Sequence, residues 1–306
     1  MAIDPAVPAD VPSGEADRNI RILRYEDGRF TAQTDAVALE EPLEIRLEYG
    51  SADQRRSKSI AITMRTPGDD FALAAGFLMT EGILADSLDI EEILYLAQSR
   101  AALQSASAPA DGDFDEASAR NVVLVRLTAE AQPRLPSVER NFYVTSSCGV
   151  CGKASLLALR SVCPAPVRSS VRVPVSMLLT LPEKMRAAQT GFAHSGGIHA
   201  SGLFDAEGQL LLCREDVGRH NALDKLIGRM FLDDLTPLRD KVLLLSGRAS
   251  YELLQKSVMA GIPIVVAIGA PSSLAVRVAR MFDITLLAFL RHDRCNIYHG
   301  AERLIA

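Results

Sequence analysis

Two cysteines, Cys148 and Cys151, stand at C-x-x-C spacing in the stretch Ser147-Cys148-Gly149-Val150-Cys151-Gly152-Lys153, near the middle of a 306-residue chain. An extended run, Asn141 to Val144, precedes them, and a helical pattern over 154–160 follows. A thiol at a helix start faces unpaired backbone N–H groups and the positive end of the helix dipole, and Lys153 adds a charge nearby. All three favour thiolate, the nucleophilic form. The spacing points to a sulfur-handling or redox centre. Half of a structural zinc site, or a tight turn that carries two cysteines, remain the alternatives at this point.

The composition narrows the setting. Apolar residues make up 48% and charged residues 23%, the proportions of a globular protein. A formal net charge of −5 gives no basic field for nucleic acid or an anionic membrane, and the absence of Trp with only 5% aromatics leaves little for stacking on bases. The five cysteines (Cys148, Cys151, Cys163, Cys213, Cys295) are scattered and odd in number, unlike a secreted disulfide framework. The first 18 residues have no basic and apolar signal pattern and read as a flexible leader. The longest apolar run, Ile262 to Ala270, is too short to span a bilayer. A soluble cytoplasmic protein that binds neither nucleic acid nor membrane is expected.

Periodicity supplies the elements that must carry the cysteines. From Asn19 the pattern is β-like: Ile20, Ile22 and then Leu43, Ile45, Leu47 alternate with polar residues, as in a sheet covered on one face. Ser59 to Arg65 is a further strand, ending in the turn Thr66-Pro67-Gly68, with Asp69 or Asp70 as cap of a helix whose apolar stripe is Phe71, Ala74, Phe77 and Leu78. Turn and cap chemistry is the plainer reading of 65–70. Residues 101–119 form a surface loop, and 121–127 another strand. The unit 19–162 is thus α+β and antiparallel in character. Over 163–306 the texture changes: a helix over 174–188, a hairpin of 197–204 with 209–214, then helices (218–230, 251–259, 272–282) alternating with strands (241–245, 262–268, 284–289). That order predicts a three-layer α/β unit whose sheet is largely parallel.

Ligands in such sheets sit beyond the carboxyl ends of the strands. Those ends read Arg214-Glu215-Asp216-Val217-Gly218-Arg219-His220-Asn221, Ser246-Gly247-Arg248-Ala249-Ser250, Gly269-Ala270-Pro271-Ser272-Ser273 and Leu290-Arg291-His292-Asp293-Arg294. Gly/Ser turns opening helices, with arginines close by, suit a phosphorylated ligand, although ordinary capped turns read the same way. His199 could be a core histidine, a base or a metal ligand. Zinc deaminase chemistry is excluded: Ser201 stands where H-x-E needs Glu, and no C-x-x-C lies downstream of His199.

The motifs Ser146–Lys153, Arg214–Lys225 and Leu245–Ser250, with Arg65–Asp70 and Ala270–Val276, resemble the FdhD family, sulfur carrier proteins needed for formate dehydrogenase activity. The resemblance implies a cytidine-deaminase-like second domain without the zinc set. It implies a persulfide carried on Cys148, with Cys151 as relay or resolving thiol. Sulfur would come from a cysteine desulfurase and go to the molybdenum (or tungsten) bis(guanine dinucleotide) cofactor of the formate dehydrogenase catalytic subunit. It further implies a homodimer, and a cofactor-binding stretch at Ala288, Phe289, Leu290, Arg291, His292 and Asp293. Ala288 departs from the family's frequent glycine, adding a methyl beside that stretch. A thiol–disulfide oxidoreductase and a cofactor-holding chaperone are the rival readings.

Overall fold

The computed structural model describes residues 19–98, 121–135, 142–143 and 165–306. Cys148, Cys151, Cys163, the leader, the loop 101–119 and the helical pattern over 154–160 lie outside the described residues. The chain is mixed α/β. Strands β1 (Asn19–Glu26) and β2 (Arg29–Ala36) pair as an antiparallel ribbon. Next come β3 (Glu41–Tyr49), β4 (Arg56–Arg65), helix α1 (Asp70–Thr80), β5 (Ile90–Tyr95), β6 (Val122–Leu127) and β7 (Phe142–Tyr143). Strands β3 to β7 make a five-stranded sheet in the order β5-β6-β3-β4-β7.

Two expectations for this half need correction. The sheet is mixed rather than antiparallel, because β3 runs parallel to β6 and β4 parallel to β7. On the ribbon β1–β2 the face of Ile20 and Ile22 is only partly covered by the described residues, with Ile20 42% exposed and Ile22 half-buried, and on the other face Leu23, Tyr25 and Phe30 are about two-thirds exposed (68%, 65% and 66%). Alternation there marks strands without marking burial, whereas in β3 Leu43, Ile45 and Leu47 are wholly buried.

The second half opens with β8 (Val173–Pro174), α2 (Val175–Ala188) and the short α3 (Thr190–Ser195). It continues with β9 (His199–Phe204), β10 (Leu210–Asp216), α4 (Arg219–Leu232), β11 (Val242–Leu245), α5 (Tyr251–Met259), β12 (Ile264–Ala267), α6 (Ser273–Phe282), β13 (Thr285–Ala288), β14 (Asn296–His299) and β15 (Leu304–Ile305). The main sheet runs β10-β9-β11-β12-β13-β14. Its centre, β11-β12-β13, is parallel as expected, and β9, β10 and β14 are antiparallel to their neighbours. Leu178, Leu181 and Met185 of α2 cover one face together with Val242, Leu244, Ile264 and Val266. Leu243, Leu245, Val265 and Leu286 face the other way, into α4, α5 and α6.

That second core does not stop at the sheet's own helices. It continues through α1 to Leu43, Ile45 and Val123 of the first sheet. Helix α1 was expected to bury one stripe, but every residue from Ala72 to Thr80 is buried, because the helix lies between the first sheet and α4. Where α1 meets α4, Gly76 and Gly228 let the backbones touch. A Cβ on Gly76 would fall 2.0 Å from the Asp224 carbonyl oxygen, and one on Gly228 would fall 1.8 Å from that of Ala72.

Helix α6 starts where Ser272 accepts a hydrogen bond from the Ala275 N–H at 3.1 Å. Ser272→Ala should therefore lower stability by about 1 kcal/mol, read as a shift of the urea midpoint at unchanged slope. A shift below a quarter of that would mean that the cap is replaced by water.

Candidate functional site

Helix α4 and the end of β10 organise the site. Asp216 ends β10, and its Oδ1 accepts from Gly218 N–H at 2.8 Å, a tight turn that releases the chain into α4. Residues 221, 224, 225 and 228 share one helical face, and that face meets the first half of the chain. Asn221 Nδ2 donates to the Met64 carbonyl at 2.7 Å, and Asn221 Oδ1 accepts from the Thr63 hydroxyl at 3.1 Å. Lys225 Nζ donates to the Thr66 carbonyl and to Asp216 Oδ2, both at 2.7 Å. Asp216 also accepts from Thr66 N–H at 3.1 Å, and Val217 N–H donates to the Thr66 hydroxyl at 3.1 Å. Asp224 pairs with Lys256 at 2.9 Å and accepts from Thr80 at 2.8 Å.

The polar density after β10 is thus largely an internal clamp. The turn at 65–70 belongs to the same clamp. Arg65 holds Asp70 through two bonds (3.1 and 2.9 Å), and the Tyr95 hydroxyl donates to Asp70 at 3.1 Å. Burial and then the Asp70 charge push Tyr95 up to about 12. Asp69 occupies the cap position of α1 without a capping bond from its side chain, and pairs instead with Arg214 at 3.2 Å.

The opposite face of the α4 N-terminus, with Arg219 and His220, looks onto the edge where β10, β11, β12 and β13 end and β9 begins. Backbone bonds join the loops there into a ladder: Phe289 N–H to Gly269 O (3.1 Å), Gly269 N–H to Gly247 O (2.9 Å), and Ser246 N–H to Ala200 O (3.0 Å). A Cβ on Gly269 would lie 2.9 Å from the Gly247 carbonyl, so glycine is required for the approach. His199, the first residue of β9, stands 3.4 Å from the Ser246 hydroxyl. Arg219 Nε is buried without a hydrogen-bond partner among the described residues.

His220 Nε2 lies 3.4 Å from the Ser250 hydroxyl and 3.8 Å from the Glu252 carboxylate. Burial pushes Glu252 up, but hydrogen bonds from its own N–H and from Ser250 outweigh this and hold it below its ordinary value. His220 is depressed to about 4, by burial first and by the Arg219 and Lys256 charges next. Its folded value lies below its unfolded one near 6.5, so the unfolded chain binds more protons between those limits. The stability that neutral His220 contributes is present above about pH 6.5 and lost as pH falls toward 4. His220→Gln should therefore remove on the order of 2 kcal/mol of stability loss over that window, measured as the wild-type minus variant difference in urea unfolding at pH 7 and pH 4.5. An unchanged difference would sink the assignment.

The last-strand stretch divides by side. Ala288 and Leu290 are buried in the two opposite cores, whereas Phe289, Arg291, His292 and Asp293 are exposed. The Ala288 methyl expected beside the stretch is packed inward, and only the backbone at 288 and 290 faces the edge loops. Phe289 adopts a left-handed backbone (φ 55°) and is 40% exposed. Arg291 ties the loop down by donating to the Ile268 carbonyl at 2.9 Å and the Leu290 carbonyl at 2.7 Å. Among the described residues no group of three or more His, Cys, Asp or Glu could hold a metal ion, and no described helix is long and apolar enough to cross a membrane.

Cys148 and Cys151 lie outside the described residues, but the strand that leads to them is rooted. Phe142 and Tyr143 pair with Ala61 and Ile62 of β4, two residues before Met64 enters the clamp.

The sequence profile of the FdhD/NarQ family matches residues 38–305. The chain belongs to that family. The FdhD/NarQ relatives include a protein of Streptomyces coelicolor, 47% identical with 95% of this chain and 96% of the relative aligned, and one of Mycobacterium tuberculosis, 43% identical with 95% and 99% aligned. A third, from Saccharolobus solfataricus, is 38% identical with 92% and 96% aligned; all three are called sulfur carrier protein FdhD. The fold is shared with a crystal structure from Desulfotalea psychrophila, provisionally described as a formate dehydrogenase accessory protein (TM-score 0.67, 23% identity, 94% of this chain and 98% of that one). Within the FdhD/NarQ motif Arg214–Lys225, sequence reasoning did not separate clamp from site. The 3.6-residue period of 221, 224, 225 and 228 was the signal that could have done so.

Proposed function

We propose that the protein is a sulfur carrier that delivers sulfur to a molybdenum (or tungsten) bis(guanine dinucleotide) cofactor destined for the formate dehydrogenase catalytic subunit. The shared name of relatives aligned over nearly their full length supports the sulfur-carrier part of this reading, Cys148 and Cys151 supply chemistry for it, and the cofactor and its client enzyme are what the family resemblance adds. The Cys148 thiolate attacks the outer sulfur of a cysteine desulfurase persulfide. The new S–S bond forms on Cys148 and the donor's cysteine leaves as thiolate. Once the cofactor has docked, attack of the Cys151 thiolate on the inner sulfur of Cys148 would release the carried sulfur as hydrosulfide for the metal and leave a Cys148–Cys151 disulfide, which a dithiol reductant must reduce before the next cycle.

The cofactor is the substrate, and the open edge suits its charged part. The exposed Arg248 offers donors to phosphate oxygens, and the Arg219 guanidinium, whose Nε is buried, adds positive charge. Phe289, His292 and Asp293, with backbone groups of Ala288, Leu290 and Arg291, would complete the contact. In this reading the protein acts as a cytoplasmic homodimer.

The test is intact-mass spectrometry after incubation with a cysteine desulfurase and cysteine. A reducible gain of one sulfur atom that disappears in Cys148→Ala is expected. No gain in wild type, or an equal gain in Cys148→Ala and Cys151→Ala, would sink the carrier mechanism and leave cofactor holding.

A further inference from the structure

We infer that His199 is a phosphate-binding residue, presenting a ring N–H at the open edge to an anionic oxygen of the guanine dinucleotide. The inference rests on the substrate reading above and adds a residue to it. Ser246 Oγ accepts the Ala200 N–H at 2.8 Å and lies 3.4 Å from His199 Nδ1. We assign the tautomer in which the hydroxyl donates to Nδ1 and the ring proton sits on Nε2. Nε2 has no partner among the described residues.

The ring is also fitted in place. A Cβ on Gly247 would lie 3.3 Å from both Cε1 and Nδ1, so the glycine turn at the end of β11 is the wall against which the imidazole rests. His199 cannot be replaced in this task by His220, whose Nε2 is directed to Ser250. Burial first, then the Arg219 charge, lower the His199 pKa, which keeps the ring a neutral donor at neutral pH. A ring N–H in the field of the Arg219 guanidinium suits a phosphate oxygen, because the cation supplies charge and the imidazole supplies direction.

The test uses the full-length protein with GDP and guanosine as probes, read by titration calorimetry. His199→Ala should weaken GDP by about tenfold and leave guanosine binding and the melting temperature unchanged. His199→Gln, whose terminal amide can place an N–H near the Nε2 position, should recover most of the GDP affinity. Equal loss for both ligands, a fall in melting temperature that accounts for the loss, or no loss at all would overturn the role of His199 while leaving the proposed function standing. Failure of wild type to bind GDP would instead overturn the guanine-dinucleotide reading, and this inference with it.

Discussion

Lys225→Met is expected to cost about 3–5 kcal/mol of stability, a large share of what a domain has to lose. The ammonium is 2% exposed and sits 2.7 Å from an Asp216 carboxylate that is wholly buried. Methionine fills the volume but leaves that carboxylate with the N–H donors of Thr66 and Gly218 and the Asn221 amide as its remaining neighbours. The cost is therefore that of an uncompensated buried charge. The double variant Lys225→Met/Asp216→Asn removes both charges and should regain part of the loss, which gives a cycle that isolates the pair. Urea unfolding of the four proteins measures it. A single-variant loss below 1 kcal/mol would put the pair on the level of an exposed bridge.

The second large effect concerns the helix crossing. Gly→Ala inside a helix normally stabilises by up to about 1 kcal/mol; at Gly228 the sign should reverse. The added methyl would stand 1.8 Å from the Ala72 carbonyl oxygen and 2.5 Å from Gly76 N. Both are backbone atoms, so no rotamer change relieves the clash and α1 must move off α4. A cost of about 3 kcal/mol is expected, seen as a lower melting temperature or as insoluble protein. Arg229→Ala, at the neighbouring exposed position, should change little and serves as the control. A melting temperature in Gly228→Ala at or above that of wild type would contradict the close crossing.

Most of the second half was legible because its signals are local. The strands at 242–245, 264–267 and 285–288 are short apolar runs, and the helices between them carry their own period and caps. The hairpin of β9 and β10 follows from the turn residues 205–208. What was not legible depends on partners far away in the chain. Nothing near Gly76 says that it meets Gly228, or near Asp216 that its ligands are Thr66 and Lys225. The first sheet's mixed pairing has the same cause, since β3 meets β6 across a connection of more than 70 residues. Of the candidate site, the strand-end loops were visible in sequence. The inward turn of Ala288 and Leu290 was not, because alternation across the end of β13 depends on which core each side chain enters.

The ladder of backbone bonds at the open edge has a thermodynamic consequence. Loops that bind ligands often lose conformational freedom on binding, and that loss subtracts from affinity. Here the loops after β11, β12 and β13 already hold one another through Gly247, Gly269 and Phe289, and Arg291 fastens the last of them. A ligand arriving at this edge meets donors whose positions are fixed beforehand, so little of its binding enthalpy is spent on ordering the protein. Rapid docking and small structural change on association are the behaviour to expect from such a surface.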